Sequence, residues 1–240
     1  MSGAAKHGAI HQMHGRDASF PVLRRALIDI AHSLHSAAWV ANHDGNVSIR
    51  LPAGRFLITP TALSKRVLDE TDPIVVDRSG RVLRGGRRPF SEFKMHVAVY
   101  DTRPDAKAVV HAHPPCATAL AIMGIEVEPR MMAEPIVSLG SRVPMVPYGF
   151  PNSADQIAAL REIAAVHDAV TIEQHGALAW GDDLEQAFLR LELVEHLARI
   201  QLQALKIGPV RTLPDADVAR LLESRAAAGL GVQGRARRGH

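Results

Sequence analysis

Cysteine, aromatic residues and long apolar runs are all scarce in this 240-residue chain. Its one cysteine, Cys116, has no partner within the chain, so no internal disulfide can form and nothing requires an oxidising compartment. A reducing cytoplasm is the expected setting. No apolar stretch approaches the roughly 18 residues needed to span a bilayer, and residues 1–19 lack the apolar segment of a secretory signal. Membrane association is not expected. Phe, Trp and Tyr make up 4% of the chain, too few to interleave a basic stripe with the stacking platforms that single-stranded nucleic acid uses. The net charge of +3 owes part of its excess to Arg235, Arg237 and Arg238, so nucleic-acid binding is set aside.

The composition is otherwise that of an ordinary globular protein, 47% apolar and 22% charged, long enough for one full hydrophobic core. The expected organisation is a mobile leader over 1–20, a single domain over 21–228 and a basic flexible tail over 229–240. Helical spacing of Leu23, Leu27, Ile30 and Leu34 predicts an amphipathic helix from Val22 to Val40. Alternation and turn residues predict strands over 47–51 and 55–59, then 74–76 and 81–83. Ser91 reads as the N-cap of a helix whose first turn carries Glu92. Ala108 to Pro115 reads as a short apolar strand stopped by its prolines, and a further strand is expected within 139–148. Ser153 and Asp182-Asp183 open helices to about Val166 and Leu205, with a strand and turn between them, and a last helix begins near Pro214. Helices interleaved with strands predict an α/β sandwich.

Thirteen histidines invite a search for metal ligands. His111 and His113 sit two apart on the predicted strand, on one face, at an end where loops leave room for substrate. The pair alone is weak, because this many histidines produce such a spacing by chance, and two solvated polar residues would look the same. Catalytic zinc takes three protein ligands and keeps one position open. His175, at the end of another apolar strand beside Gly176, is the leading third candidate; His43, His96, His167 and His196 are rivals. Glu92, near a helix start, either stabilises the first turn or ligates a metal or moves a proton at substrate carbon. His96, four residues on, competes for those roles. Cys116 reads as a small hydrophobe, and Arg84, Arg87 and Arg88 as a solvated loop or an anion contact.

The ordered segments GNVSIR (45–50), LITPTAL (57–63), PFSEFKMHVAVYDTRPDAKAVVHAHPP (89–115) and EQHGALAW (173–180) resemble the class II aldolase/adducin family. The resemblance covers about residues 22 to 206. It implies a three-layer α/β/α sandwich with a central, largely antiparallel sheet, and a homotetramer with four-fold symmetry and active sites at subunit interfaces. It also implies one divalent ion per chain, zinc above all, held by His111, His113 and His175, with Glu92 in the position of the aldolase acid/base. Gly45, Asn46, Thr61 and Ser91 match the family's phosphate-binding positions.

Two positions depart from the pattern: Ala62 stands where a glycine is usual and Phe90 where a serine is usual. A phenyl ring offers no donor to an anion, so phosphate is expected to contribute less to recognition. The chain also shows no clear counterpart of the aldolases' catalytic tyrosines, having only Tyr100 and Tyr148. The function expected is carbon–carbon cleavage of a small hydroxy-carbonyl substrate through a metal-stabilised enediolate, by retro-aldol chemistry. The alternative is decarboxylation of a hydroxy-acid on the same site. A non-catalytic adducin-like interaction module is the third reading, disfavoured by retention of all three histidines and Glu92.

Overall fold

The computed structural model describes residues 20–237. Its elements are α1 (Phe20–Ser36), β1 (Asn46–Leu51), β2 (Arg55–Ile58), β3 (Ile74–Asp77), β4 (Val82–Arg84), α2 (Phe93–Thr102), β5 (Ala108–Ala112) and α3 (Pro115–Ile122), followed by α4 (Ala133–Leu139), β6 (Met145–Val146), α5 (Ala154–Ala164), β7 (Ala169–Ile172), β8 (Gly176–Gly181), α6 (Leu184–Leu205), α7 (Asp215–Ala227) and α8 (Gly231–Arg237). The strands form one eight-stranded sheet in the order β4-β3-β2-β1-β5-β8-β7-β6. Every pairing is antiparallel except β6 with β7.

Alternation along the strands sends side chains to two cores, as a pleated backbone requires. Val47, Ile49, Val110 and Ala179 meet Leu27 of α1, Leu120 of α3 and Leu191 of α6 on one face. Phe56, Ile58, Val109 and Trp180 meet Phe93 and Val99 of α2 and Leu160 of α5 on the other. The result is the three-layer α/β/α sandwich with a largely antiparallel sheet.

Several local expectations are corrected. The helix α1 ends at Ser36 rather than Val40, because Ala38 adopts a left-handed conformation (φ 58°) and Trp39 gives its carbonyl to the His113 N–H at 2.9 Å. Phe20, assigned to the leader, opens this helix, and the rest of the leader lies outside the described residues. The strand β5 stops at Ala112, and Pro115 begins the helix α3 instead of a loop. Proline suits that first position because its missing N–H would be unbonded there anyway. The Cys116 and Ala117 N–H groups that follow donate to the buried Glu195 carboxylate of α6 at 2.9–3.1 Å.

The strand expected within 139–148 is only Met145–Val146, and 133–139 is helical. Ser91 does not cap α2: Glu92 occupies the N-cap position, without a side-chain cap bond. Ser153 and Asp183 do cap α5 and α6, accepting from Gln156 N at 3.3 Å and Gln186 N at 2.7 Å. Residues 231–237, expected in a flexible tail, form α8, whose Arg235 donates to Asp168 at 3.0 Å and so packs onto the domain; 238–240 lie outside the described residues. Among the described residues no helix is long and apolar enough to cross a membrane.

Candidate metal centre

Three central strands and one helix bring the candidate residues together at one end of the sheet. Asn46 opens β1 and pairs with His111 near the end of β5, while Ala112 pairs with Ala177 of β8. His113 is the first residue beyond β5, and His175 lies in the β7–β8 turn, which Gln174 closes in a left-handed conformation (φ 54°). Two glycines let these segments approach. A Cβ on Gly45 would fall 2.4 Å from Val40 Cγ1 and 3.0 Å from the His111 carbonyl oxygen. One on Gly176 would fall 2.5 Å from the Ala112 carbonyl oxygen and 2.6 Å from His113 Cδ2. Backbone cannot retreat as a side chain can, so Gly176→Ala is expected to destabilise by about 1–3 kcal/mol. Because the clash also displaces His113, metal affinity should fall with it. Denaturant unfolding and a metal titration measure the two effects, and wild-type values for both would refute this packing.

The imidazoles of His111, His113 and His175 have ring centroids 4.8–5.1 Å apart. One ring nitrogen from each lies within 4.8 Å of the others. His111 Nδ1 donates to the Ala177 carbonyl at 2.9 Å, which fixes the neutral tautomer and leaves the Nε2 lone pair pointing inward. The Nε2 atoms of both His111 and His113 are buried with no hydrogen-bond partner. Unpaired buried nitrogens are costly, and convergent ones suit a cation. Burial pushes the His111 pKa down to about 3 and that of His113 down as well, so both are neutral ligands at pH 7. The chemistry of this donor set therefore fits a divalent ion.

Glu92 reaches the same space from the start of α2. Its Oε1 lies 2.9 Å from His175 Nε2, and its Oε2 lies 3.5 Å from His111 Nε2 and accepts from Asn46 Nδ2 at 2.7 Å. Burial favours the protonated acid, but His111, His175 and the Asn46 amide outweigh it and hold the carboxyl well below the usual range. With His111 neutral, the bonds from His175 and Asn46 carry most of that effect near neutrality.

The remaining candidates separate clearly. His96 is fully buried, bonded to Asn46 and Ser48, and stays a neutral structural group. His43 contributes its carbonyl, which accepts from the buried Lys65 ammonium at 3.0 Å. Lys65, unremarked in the sequence, also donates to Leu63 and so ties the 43–46 loop to the 61–65 loop; burial lowers its pKa to about 8. His167 gives its carbonyl to Arg103 at 2.6 Å, and His196 lines a groove of about 810 Å³ along α6. Gly45 and Asn46 adjoin the histidines, with Asn46 only 3% exposed and its amide already committed to Glu92 and His96.

Thr61 is held through its N–H on the Arg88 carbonyl at 3.0 Å, and Ser91 is exposed. Ala62 adopts φ 57°, a left-handed conformation that accounts for the glycine usual there. Phe90 turns inward: its ring is buried edge-on against Phe93 and packs on His96. Cys116 is half-buried, with its thiol pKa raised by burial. Arg87 pairs with Asp72 at 2.7 Å and Arg84 lies over the Phe20 ring. Tyr100 is buried in α2, and Tyr148 is exposed, its N–H donating to Glu173.

A family model for the class II aldolase and adducin N-terminal domain matches residues 25–202. The chain belongs to the class II aldolase/adducin family. The L-fuculose phosphate aldolase of Escherichia coli K12 is 31% identical over 212 residues, 88% of this chain and 97% of that one. The 3-oxo-tetronate 4-phosphate decarboxylase of the same strain is 32% identical over 202 residues, covering 83% and 94%. A solved L-fuculose 1-phosphate aldolase superposes with a TM-score of 0.78 at 29% identity, covering 86% of this chain and 97% of that one. An aldolase and a decarboxylase among the relatives support a lyase of the class II aldolase type, with a three-histidine cluster able to hold a divalent metal.

Proposed function

We propose that the chain cleaves a carbon–carbon bond in a small hydroxy-carbonyl substrate by retro-aldol chemistry at a zinc-type centre formed by His111, His113 and His175. The observation that carries this reading is the convergence of three imidazoles, two of them with unpartnered Nε2 atoms, with the Glu92 carboxylate beside them. Three neutral imidazoles and an open position are the donor set of catalytic zinc. When bound there, a divalent ion supplies positive charge to oxygens of the substrate that become negative in the transition state.

Glu92 is the proton carrier in this reading. As the bond breaks, its electron pair stays on the carbon next to the carbonyl, and the departing half becomes a carbonyl by losing its hydroxyl proton. Glu92 accepts a proton as the carboxylate and returns it to that carbon. Asn46 holds the carboxylate in place, while the Gly45 backbone, Thr61 and Ser91 are the groups nearest to receive an anionic substituent. With Phe90 turned into the core, a phosphate arm remains compatible with the site, and both quoted relatives are named for phosphorylated compounds. Decarboxylation of a hydroxy-acid is the second reading, favoured by the decarboxylase relative. The same carbon then receives the proton after loss of carbon dioxide. A homotetramer with sites at subunit interfaces, in a reducing cytoplasm, completes the proposal.

A metal-replete screen of phosphorylated and phosphate-free hydroxy-carbonyl and hydroxy-acid compounds tests the reaction. An aldehyde product supports aldol cleavage, carbon dioxide supports the second reading, and neither product from any compound removes both. The centre is tested separately by elemental analysis. Wild type should carry one ion per chain and folded His113→Ala far less; undiminished occupancy in the variant would end the assignment.

A further inference from the structure

The strand β1 and the helix α2 are matched in spacing, and the match ends on Glu92. Alternate residues of a strand advance about 6.6 Å and every fourth residue of a helix about 6.0 Å, so the two series can interleave over several positions. Asn46, Ser48 and Arg50 form one series; Glu92, His96 and Tyr100 form the other. Their polar atoms alternate across the interface. Ser48 Oγ lies 2.7 Å from Tyr100 Oη and 2.7 Å from His96 Nδ1, His96 Nε2 lies 2.6 Å from Asn46 Oδ1, and Asn46 Nδ2 lies 2.7 Å from Glu92 Oε2. Arg50 closes the far end, with its guanidinium over the Tyr100 ring and a bond to the Tyr100 carbonyl.

Valence fixes the direction of this chain of bonds. An amide oxygen only accepts, so His96 Nε2 must carry a hydrogen; His96 Nδ1 is then a lone pair and takes the hydrogen of Ser48 Oγ. Tyr100 Oη donates to Ser48, either to its hydroxyl or to its carbonyl at 3.0 Å. Burial keeps His96 and Tyr100 neutral, with the His96 pKa down to about 3 and that of Tyr100 raised. Each group is therefore locked in one orientation, and the Asn46 amide can only turn its NH₂ toward Glu92.

We propose that Ser48, His96 and Asn46 form a one-way positioning relay that fixes the Glu92 carboxylate through Oε2, so that Oε1, which faces His175 Nε2 at 2.9 Å, is the oxygen that exchanges the proton. The proposal rests on the reading of Glu92 as proton carrier and assigns to His96 and Asn46 positions behind it, away from substrate. If the His96 imidazole is removed, the Asn46 amide oxygen loses the bond that anchors it from behind, and the amide and the carboxylate it holds can shift together. A displacement of about 1 Å of a reacting group costs roughly 10²-fold in rate.

The experiment uses zinc-loaded enzyme and two simple hydroxyketone probes, dihydroxyacetone and its phosphate, in deuterium oxide. Proton transfer through Glu92 breaks a C–H bond next to the carbonyl, passes that proton to the carboxylate and returns a deuteron to the same carbon. Wash-in at that carbon therefore reports Glu92 without knowledge of the natural substrate, and Glu92→Gln sets its floor. His96→Leu is expected to lower the exchange rate about 10²-fold, with one zinc per chain retained and probe KM little changed. His96→Gln, which returns an N–H to Asn46, should recover to within about tenfold of wild type.

Undiminished exchange in His96→Leu, or equal losses in the two variants, would overturn the relay. Should His96→Leu fail to fold, Ser48→Ala, which releases the far side of the imidazole, should show a smaller loss of the same kind, and no loss would again overturn it. Nitrogen-15 imidazole NMR gives the readout independent of turnover: His96 should be neutral and protonated at Nε2. A neutral Nδ1–H form or an imidazolium would reverse the bonds and end the proposal. If wild type itself shows no wash-in, the proton-carrier reading fails, while the imidazole spectrum still judges the relay.

Discussion

Glu92→Gln is expected to keep the fold and one metal ion per chain but to lose about 10²–10⁴-fold in turnover, the range usual for removing a general acid or base. The substitution preserves length, and the new amide oxygen can accept the Asn46 bond that now runs to Oε2 at 2.7 Å. What it removes is the ability to take up and release a proton beside His175. The ion itself should stay, because three imidazoles remain and the His111 lone pair is fixed from behind by the Ala177 carbonyl. Elemental analysis and steady-state kinetics separate the possible results. Loss of the ion would make Glu92 a ligand in its own right, and undiminished turnover on the true substrate would refute both roles.

Much of this candidate site was legible, the ligand set and the role of Glu92 through the family resemblance and the separate pieces through local patterns. The period of two in His111-Ala112-His113, the glycine beside His175 and the strand pattern before each are written within a few residues, and the folded chain joins them through ordinary antiparallel register. The α/β sandwich was legible for the same reason, since helical and strand periodicities alternate along the chain. The misreadings share a different cause. Pro114 and Pro115 were expected only to stop a strand, yet α3 starts there because Glu195, nearly eighty residues later, satisfies its first N–H groups. Which way Phe90 turns could not be read from its place in the motif, because an aromatic side chain is drawn to whatever apolar contact is within reach, and Phe93 three residues on supplies it.

Asn46 shows the limit most clearly. Its position in the motif was visible, but its commitment to His96 and Glu92 depends on how α2 packs across β1, which no spacing within either segment displays. The basic tail belongs with these cases. Arg235 reads as solvated charge until a buried carboxylate from elsewhere in the chain is placed beneath it.

That carboxylate, Asp168, supports the second large effect. It lies 1% exposed just before β7 and receives bonds from Arg103 at 2.8 Å, Arg235 at 3.0 Å and Arg225, with Arg190 at 3.4 Å. These four arginines come from the loop after α2, from α8, from α7 and from α6, so one side chain gathers three helices and a loop. Asp105 is the second acid in the group, pairing with Arg103 and Arg235. Asp168→Asn would leave Arg103 and Arg235 with Asp105 and take the buried carboxylate from Arg190 and Arg225, and breaking a buried ion pair from one side costs about 3–5 kcal/mol. Against a usual total of roughly 5–15 kcal/mol, that is a large share.

The loss should not fall evenly. Arg103 and Arg190 keep bonds to the carbonyls of Ala164, His167 and Trp180, whereas Arg235 retains only the Asp105 pair. The helix α8 should therefore loosen first. The pH dependence follows from the sign of the shift: burial favours the protonated acid, but the arginines outweigh it and hold the Asp168 carboxyl well below the ordinary value. The stabilisation is thus present above the unfolded carboxylate pKa of about 3.9 and fades only as pH falls below it. Wild type and Asp168→Asn should accordingly differ fully at pH 7 and converge in strong acid. Denaturant unfolding at both pH values, with amide hydrogen exchange over Gly231–Arg237, reads the result. A variant with the wild-type midpoint at pH 7 and equally protected α8 amides would show that the arginines are satisfied without this carboxylate.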